Sequence, residues 1–168
     1  MTEDIKQTFF KLLNKDLTIP DFEKWIYKSN PTLEAVLPAE FNLDLISFNF
    51  KQKDSFHNLV KLIMPQIDEN EYNIWRTKKL LVEIINDNID LVLATRELAM
   101  LYFETGENFI PVTLGIGYES ELDDVPTPDE YKNWDKNVLL EKLEKVKDYR
   151  DEIKRDAKLF LDLLNNKK

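Results

Sequence analysis

The stretch EYNIWRTKKLLVEIINDNIDLVLATRELAMLYF, Glu71 to Phe103, decides the fold. In its first part Ile74, Leu81, Ile84 and Ile85 recur at helical spacing, with Trp75 and Leu80 widening the stripe. Asn86-Asp87-Asn88 interrupts the pattern, because such short polar side chains compete for backbone hydrogen bonds and favour caps and turns. Leu91, Ala94, Leu98, Leu101 and Tyr102 form a second stripe, and Gly106 is placed to stop it as a C′ glycine. Two such helices cannot bury both stripes alone, so flanking helices must pack onto them. The expectation is an all-α, single-domain helical bundle over residues 1–168, built on this central hairpin, with Trp75 and Leu81 in its core.

Toward the C-terminus, Leu139, Leu143, Val146, Arg150, Ile153, Ala157, Phe160 and Leu164 alternate at spacings of four and three, which predicts a long helix with a heptad seam. Arg150 interrupts that seam. Either it snorkels to solvent or a hairpin carboxylate meets it, Glu97 being one choice. A lone arginine in a dimeric seam would face its own copy, so a monomer is expected.

Toward the N-terminus, Asp4 to Leu17 reads as a helix with Thr2 as a possible N-cap. Thr18, ahead of Pro20, opens a second helix carrying Phe22, Trp25 and Ile26, expected to end near Ser29-Asn30-Pro31. Pro31 then starts a short helix with Leu33, Val36 and Leu37, closed by Pro38. Phe41 to Phe50 fits strand alternation and helix alike. A lone strand has nothing to pair with, so the stretch is read mainly as helix to about Ser47. Ser55 to Met64 is helical again. Asn108 to Tyr118 mixes a helix-start signal with alternation, and Gly115 and Gly117 permit positive φ and a tight bend.

Only three glycines in 168 residues argue against an all-β chain, and the absence of cysteine removes disulfides, thiolate metal sites and cysteine nucleophiles together. Met1 to Leu17 lacks the apolar core of a signal peptide, and no apolar run approaches the ~20 residues that span a bilayer. A cytoplasmic protein without membrane contact is expected.

The formal charge of −9 is unevenly placed. Between Glu104 and Asp135 nine acids face Lys132 alone, so this segment carries −8 and the rest of the chain −1. Nucleic acid would be repelled by such a surface, whereas a basic protein is a natural partner. Residues 119–135, with Pro126 and Pro128, read as a long acidic surface loop of the kind that is usually functional or mobile. Glu119, Glu121, Asp123, Asp124, Asp129 and Glu130 are its candidate partner-binding acids, and Trp134 its apolar anchor.

Other chemistry is thinly represented. Glu119, Glu121 and Asp123 alternate, but lack the glycine and the bidentate glutamate of a calcium loop, so no metal is expected. Gly115-x-Gly117 lacks the third glycine and the Lys-Ser/Thr pair of a phosphate loop, so no cofactor is expected either. His57, the single histidine, falls on an exposed face beside Ser55, and no catalytic residue is assigned. Two alternatives stand beside a binding function. One is a hydrolase using paired carboxylates such as Glu104, Glu107 or the loop aspartates, which needs a cleft that raises or splits their pKa values. The other is a helical adaptor pairing through the 139–164 seam.

Asp21 to Lys51 (DFEKWIYKSNPTLEAVLPAEFNLDLISFNFK), together with YFETGENF at Tyr102 to Phe109 and LGIGY at Leu114 to Tyr118, resembles small bacterial proteins of the immunity type. Such proteins neutralise a cognate toxin. The matching residues are mostly packing and turn positions, so the resemblance carries over no functional residue. It implies a helical, non-enzymatic, cytoplasmic protein.

Overall fold

The computed structural model describes residues 1–106 and 109–166. Among them the chain is all-α, with eight α-helices and no strand. Its contacts divide it into two units, Met1–Tyr72 and Asn73–Lys168.

The first unit holds α1 (Glu3–Leu13), α2 (Ile19–Val36), α3 (Ala39–Ser47) and α4 (Ser55–Ile63). Its core is aromatic. Phe9 meets Phe22 and Phe41 edge-on, with ring centroids 6.0 and 5.9 Å apart, a geometry that aligns the positive ring edge with a negative face. α1 stops at Leu13, short of the expected Leu17, and Lys15 follows at φ +61°. Thr2 sits at the N-cap without a side-chain bond, whereas the Thr18 hydroxyl accepts from the Asp21 amide and fixes the start of α2.

Two sequence expectations resolve differently. α2 runs unbroken through Pro31, where a stop was expected. Phe22, Ile26 and Leu33 lie fully buried on one face, and packing along that face outweighs the backbone bond the proline removes. The ambiguous Phe41 to Phe50 stretch is helix to Ser47, as its lack of a pairing partner implies.

The second unit comprises α5 (Glu69–Ile85) after its first turn, α6 (Leu91–Thr105), a π-helical turn (Thr113–Gly117), α7 (Tyr118–Glu121), a 3-10 turn (Tyr131–Asn133) and α8 (Lys136–Asn166). Leu81 and Ile84 of α5, Leu98 of α6, and Ile153, Ala157, Phe160 and Leu164 of α8 share one core with Leu122 and Val125. Trp75, expected inside, is only half-buried. Gly106 ends α6 at φ +86°, the left-handed region in which glycine carries no Cβ penalty. Gly115 does not adopt positive φ. It is needed for close approach, since a Cβ there would lie 2.4 Å from the Tyr102 ring. The Asn108 half of the expected helix-start signal, like Glu107, lies outside the described residues.

At the α5–α6 turn Asp87 takes φ +57°. Its carboxylate accepts from Arg150 and from Lys154, each at 2.8 Å. Arg150 is therefore met by a hairpin carboxylate, Asp87 rather than Glu97.

Candidate functional site

The acidic segment is more structured than a loop of few anchors. Leu122, Val125, Pro126 and Thr127 are buried, and the Arg96 guanidinium donates to the Val125 carbonyl at 3.0 Å. These apolar residues hold the backbone down, so the charges between them are carried outward on a fixed track.

That track runs antiparallel to α8 and is joined to it by three polar rungs. The Tyr118 hydroxyl donates to Asp156 at 2.8 Å. The Tyr149 hydroxyl donates to Glu121 at 2.9 Å. Asp124 accepts from Lys142, and from Lys145 at 3.2 Å. Positions 118, 121 and 124 rise while their partners descend from 156 through 149 to 145 and 142. The partners share one helical stripe distinct from the heptad seam, a second period at spacings, read down from Asp156, of seven, four and three. This second stripe is the signal by which sequence reading alone would have found Lys142, Lys145, Tyr149 and Asp156. It passes unnoticed because its members are polar.

Hydrogen bonding to Lys142 and Lys145 holds the Asp124 carboxyl below its ordinary value. Asp129 and Glu130 are lowered by bonds to Thr127, whose hydroxyl lies 2.7 and 2.8 Å from their carboxylates and whose amide donates to Glu130 at 2.8 Å. Tyr149 is raised by its bond to Glu121, and Tyr118 is raised by burial and then by Asp156. Asp135 caps α8 by accepting from the amides of Asn137 and Val138 at 2.9 and 3.3 Å.

The seven candidate residues thus separate. Glu121, Asp124, Asp129 and Glu130 are tied into the protein's own structure, while Glu119 and Asp123 have no side-chain partner among the described residues. Trp134 follows the 3-10 turn and is 39% exposed, directly ahead of the capping Asp135. Glu104 pairs with Arg76 at 2.8 Å instead of joining these acids.

No protein-family model, curated protein or solved structure matches the chain.

Among the described residues no group of three or more His, Asp and Glu side chains is placed to hold a metal ion. Among the described residues no helix is long and apolar enough to cross a membrane. Asp21, Asp87, Asp124, Asp129 and Glu130 are each held below the ordinary carboxyl value. The segment carries fixed negative charge and, at Trp134, an exposed aromatic ring.

Proposed function

We propose that the protein is a non-enzymatic, cytoplasmic binding protein of the toxin-neutralising, immunity type, whose acidic segment covers a basic surface of a partner protein. The observation that carries this reading is Trp134, exposed on a short turn that Asp135 fixes to the start of α8, within the segment that concentrates −8 of the chain's −9. Trp at the centre of an interface contributes large contact area at low entropic cost, while surrounding charge steers the encounter. The internal ties of Asp124, Asp129 and Glu130 favour the same reading. They hold the charges in place before binding, so little ordering remains to oppose it. The carboxylate-hydrolase alternative gains no support from these groups, because a general acid needs a carboxyl raised toward neutral pH.

The test uses the product of the adjacent reading frame, or any basic protein that co-purifies, in rapid binding kinetics. Glu121 and Asp124 are poor choices for neutralisation because their loss also loosens the segment. Glu119→Gln with Asp123→Asn is the clean variant, and should slow association several-fold at low salt and hardly at all at high salt. Trp134→Ala should instead speed dissociation about tenfold or more. Wild-type rates in both variants would end the proposal.

A further inference from the structure

Where the π-helical turn meets the C-terminal half of α8, the second unit holds an open cavity of about 190 Å³. Leu114 and Phe160, both buried, form its floor, and Pro111, Leu159 and Leu163, all exposed, its rim. The turn on one side has the wide hydrogen-bond spacing of a π-helix, a rare geometry that recurs at functional sites. Gly115 lets that turn lie against the Tyr102 ring, which fixes the Thr113 side of the cavity. The Thr113 hydroxyl has no hydrogen-bond partner among the described residues. Of the described residues that line the cavity, Asp156 alone is charged. Its Oδ2 accepts from the Tyr118 hydroxyl at 2.8 Å and its Oδ1 from Arg155 Nε at 3.2 Å. Each carboxylate oxygen carries two lone pairs, so both can accept again. Arg155 is the next residue back along the chain and is 62% exposed, and such a solvated pair is weak. Glu152, one turn before Asp156, has no ion-pair partner among the described residues, and its charge reaches Tyr118 and helps to raise that hydroxyl. The cavity is thus apolar on its floor and rim and acidic where Asp156 enters its wall.

We infer that this cavity binds a small organic ammonium ligand, an amine whose short apolar body lies on Leu114 and Phe160 between Leu159 and Leu163 while its N–H groups donate to Asp156. Charge decides the occupant. An anion would be repelled by the carboxylate, and a wholly apolar ligand would strip its water and return no hydrogen bond. An ammonium returns a charge-assisted hydrogen bond, the strong kind, to an oxygen that still has a lone pair to offer. Thr113 can accept a further N–H through its free hydroxyl. Size limits the ligand as well. The cavity is smaller than the roughly 300–1,000 Å³ of sites for drug-sized molecules, so it suits one ring or a short alkyl chain. A second copy of the chain is a poorer occupant. Laid parallel along α8 it would set Asp156 against itself, and laid antiparallel about Leu159 it would set Asp156 against Asp162. The site is separate from Trp134 and does not depend on the reading of the acidic segment.

The probes are phenethylamine and its charge-reversed analogue hydrocinnamate, titrated into the full chain and followed by amide NMR. The amine should bind saturably in the millimolar range with shifts concentrated at residues 112–114 and 156–163, and the carboxylate at least about tenfold more weakly. Asp156→Asn keeps an oxygen for the Tyr118 hydroxyl but removes the charge, and should lower amine affinity about tenfold or more. Leu163→Lys, at an exposed position, sets a competing ammonium at the mouth of the cavity and should do the same with an unchanged melting temperature. Arg155→Gln removes the weak cation beside Asp156 and should tighten amine binding about twofold or more. Trp134→Ala should bind the amine as wild type. Equal binding of amine and carboxylate, no saturable binding at tens of millimolar amine, or shifts spread over all the acidic residues overturns the inference. So does wild-type amine affinity in Asp156→Asn. If that variant melts early, Leu163→Lys decides alone, and wild-type affinity in it is equally fatal. A dimer that Leu163→Lys dissociates would give this face to a second copy and overturns the inference too.

Discussion

The two halves of α8 carry one continuous heptad seam, yet they are held by different forces. From Ile153 onward the seam residues Ala157, Phe160 and Leu164 are buried in the core of the second unit. Before it, Leu139, Leu143 and Val146 are only half-buried. There polar ties supplement the partial packing of Val146 and Tyr149: Asp124 on Lys142 and Lys145, Glu121 on Tyr149, and Asp87 on Arg150. Apolar burial is not screened by salt and hardly depends on pH, whereas exposed ion pairs contribute little and depend on both. The lesson is that periodicity assigns a helix its inner face without saying what will meet it there.

Four experiments sharpen the contrast, in falling order of expected effect. Phe160→Ala removes a buried ring and should cost about 3–5 kcal/mol in denaturant unfolding. A loss as small as that of an exposed leucine would erase the difference between the halves. Gly115→Ala should cost about 1–3 kcal/mol, because the added methyl meets the Tyr102 ring, and Tyr102→Ala in the same chain should recover part of that loss.

Asp124→Asn should leave the global unfolding midpoint nearly unchanged while hydrogen exchange at amides 138–146 accelerates several-fold. Exchange that stays at the wild-type rate would mean that the lysine clamp does not hold the helix. Acid should act on the same half. The Asp124 carboxyl is lowered in the folded chain, so its contribution is complete above its ordinary value of 3.8 and fades as pH falls through the lower folded value. Amide exchange of 138–146 should therefore accelerate in that window by more than that of 153–164, whose seam residues are buried.

The helices were legible because their signals are local: Thr18 with Pro20, the Asn86-Asp87-Asn88 break, Gly106, and the seam itself. Pro31 misled for a physical reason, since a proline's local cost is visible in sequence and the packing of Ile26 and Leu33 around it is not. Trp75 likewise sits on the right stripe, but at its margin, where spacing alone does not separate core from rim. Of the candidate site, the acids and Trp134 were readable as composition. Which acids are tied inward was not, because Asp124 meets lysines 18 and 21 residues away and Glu121 a tyrosine 28 residues away.

Asp87 shows how two demands can fix one letter of a sequence. The turn asks for a residue at ease in the left-handed region, which admits glycine, asparagine and aspartate. Arg150 and Lys154 ask for a carboxylate on a short stem. Aspartate alone answers both. In a descendant chain that had lost both cations, position 87 would be released to drift to glycine or asparagine. A descendant that kept them would hold aspartate there while Asn86 and Asn88 changed around it.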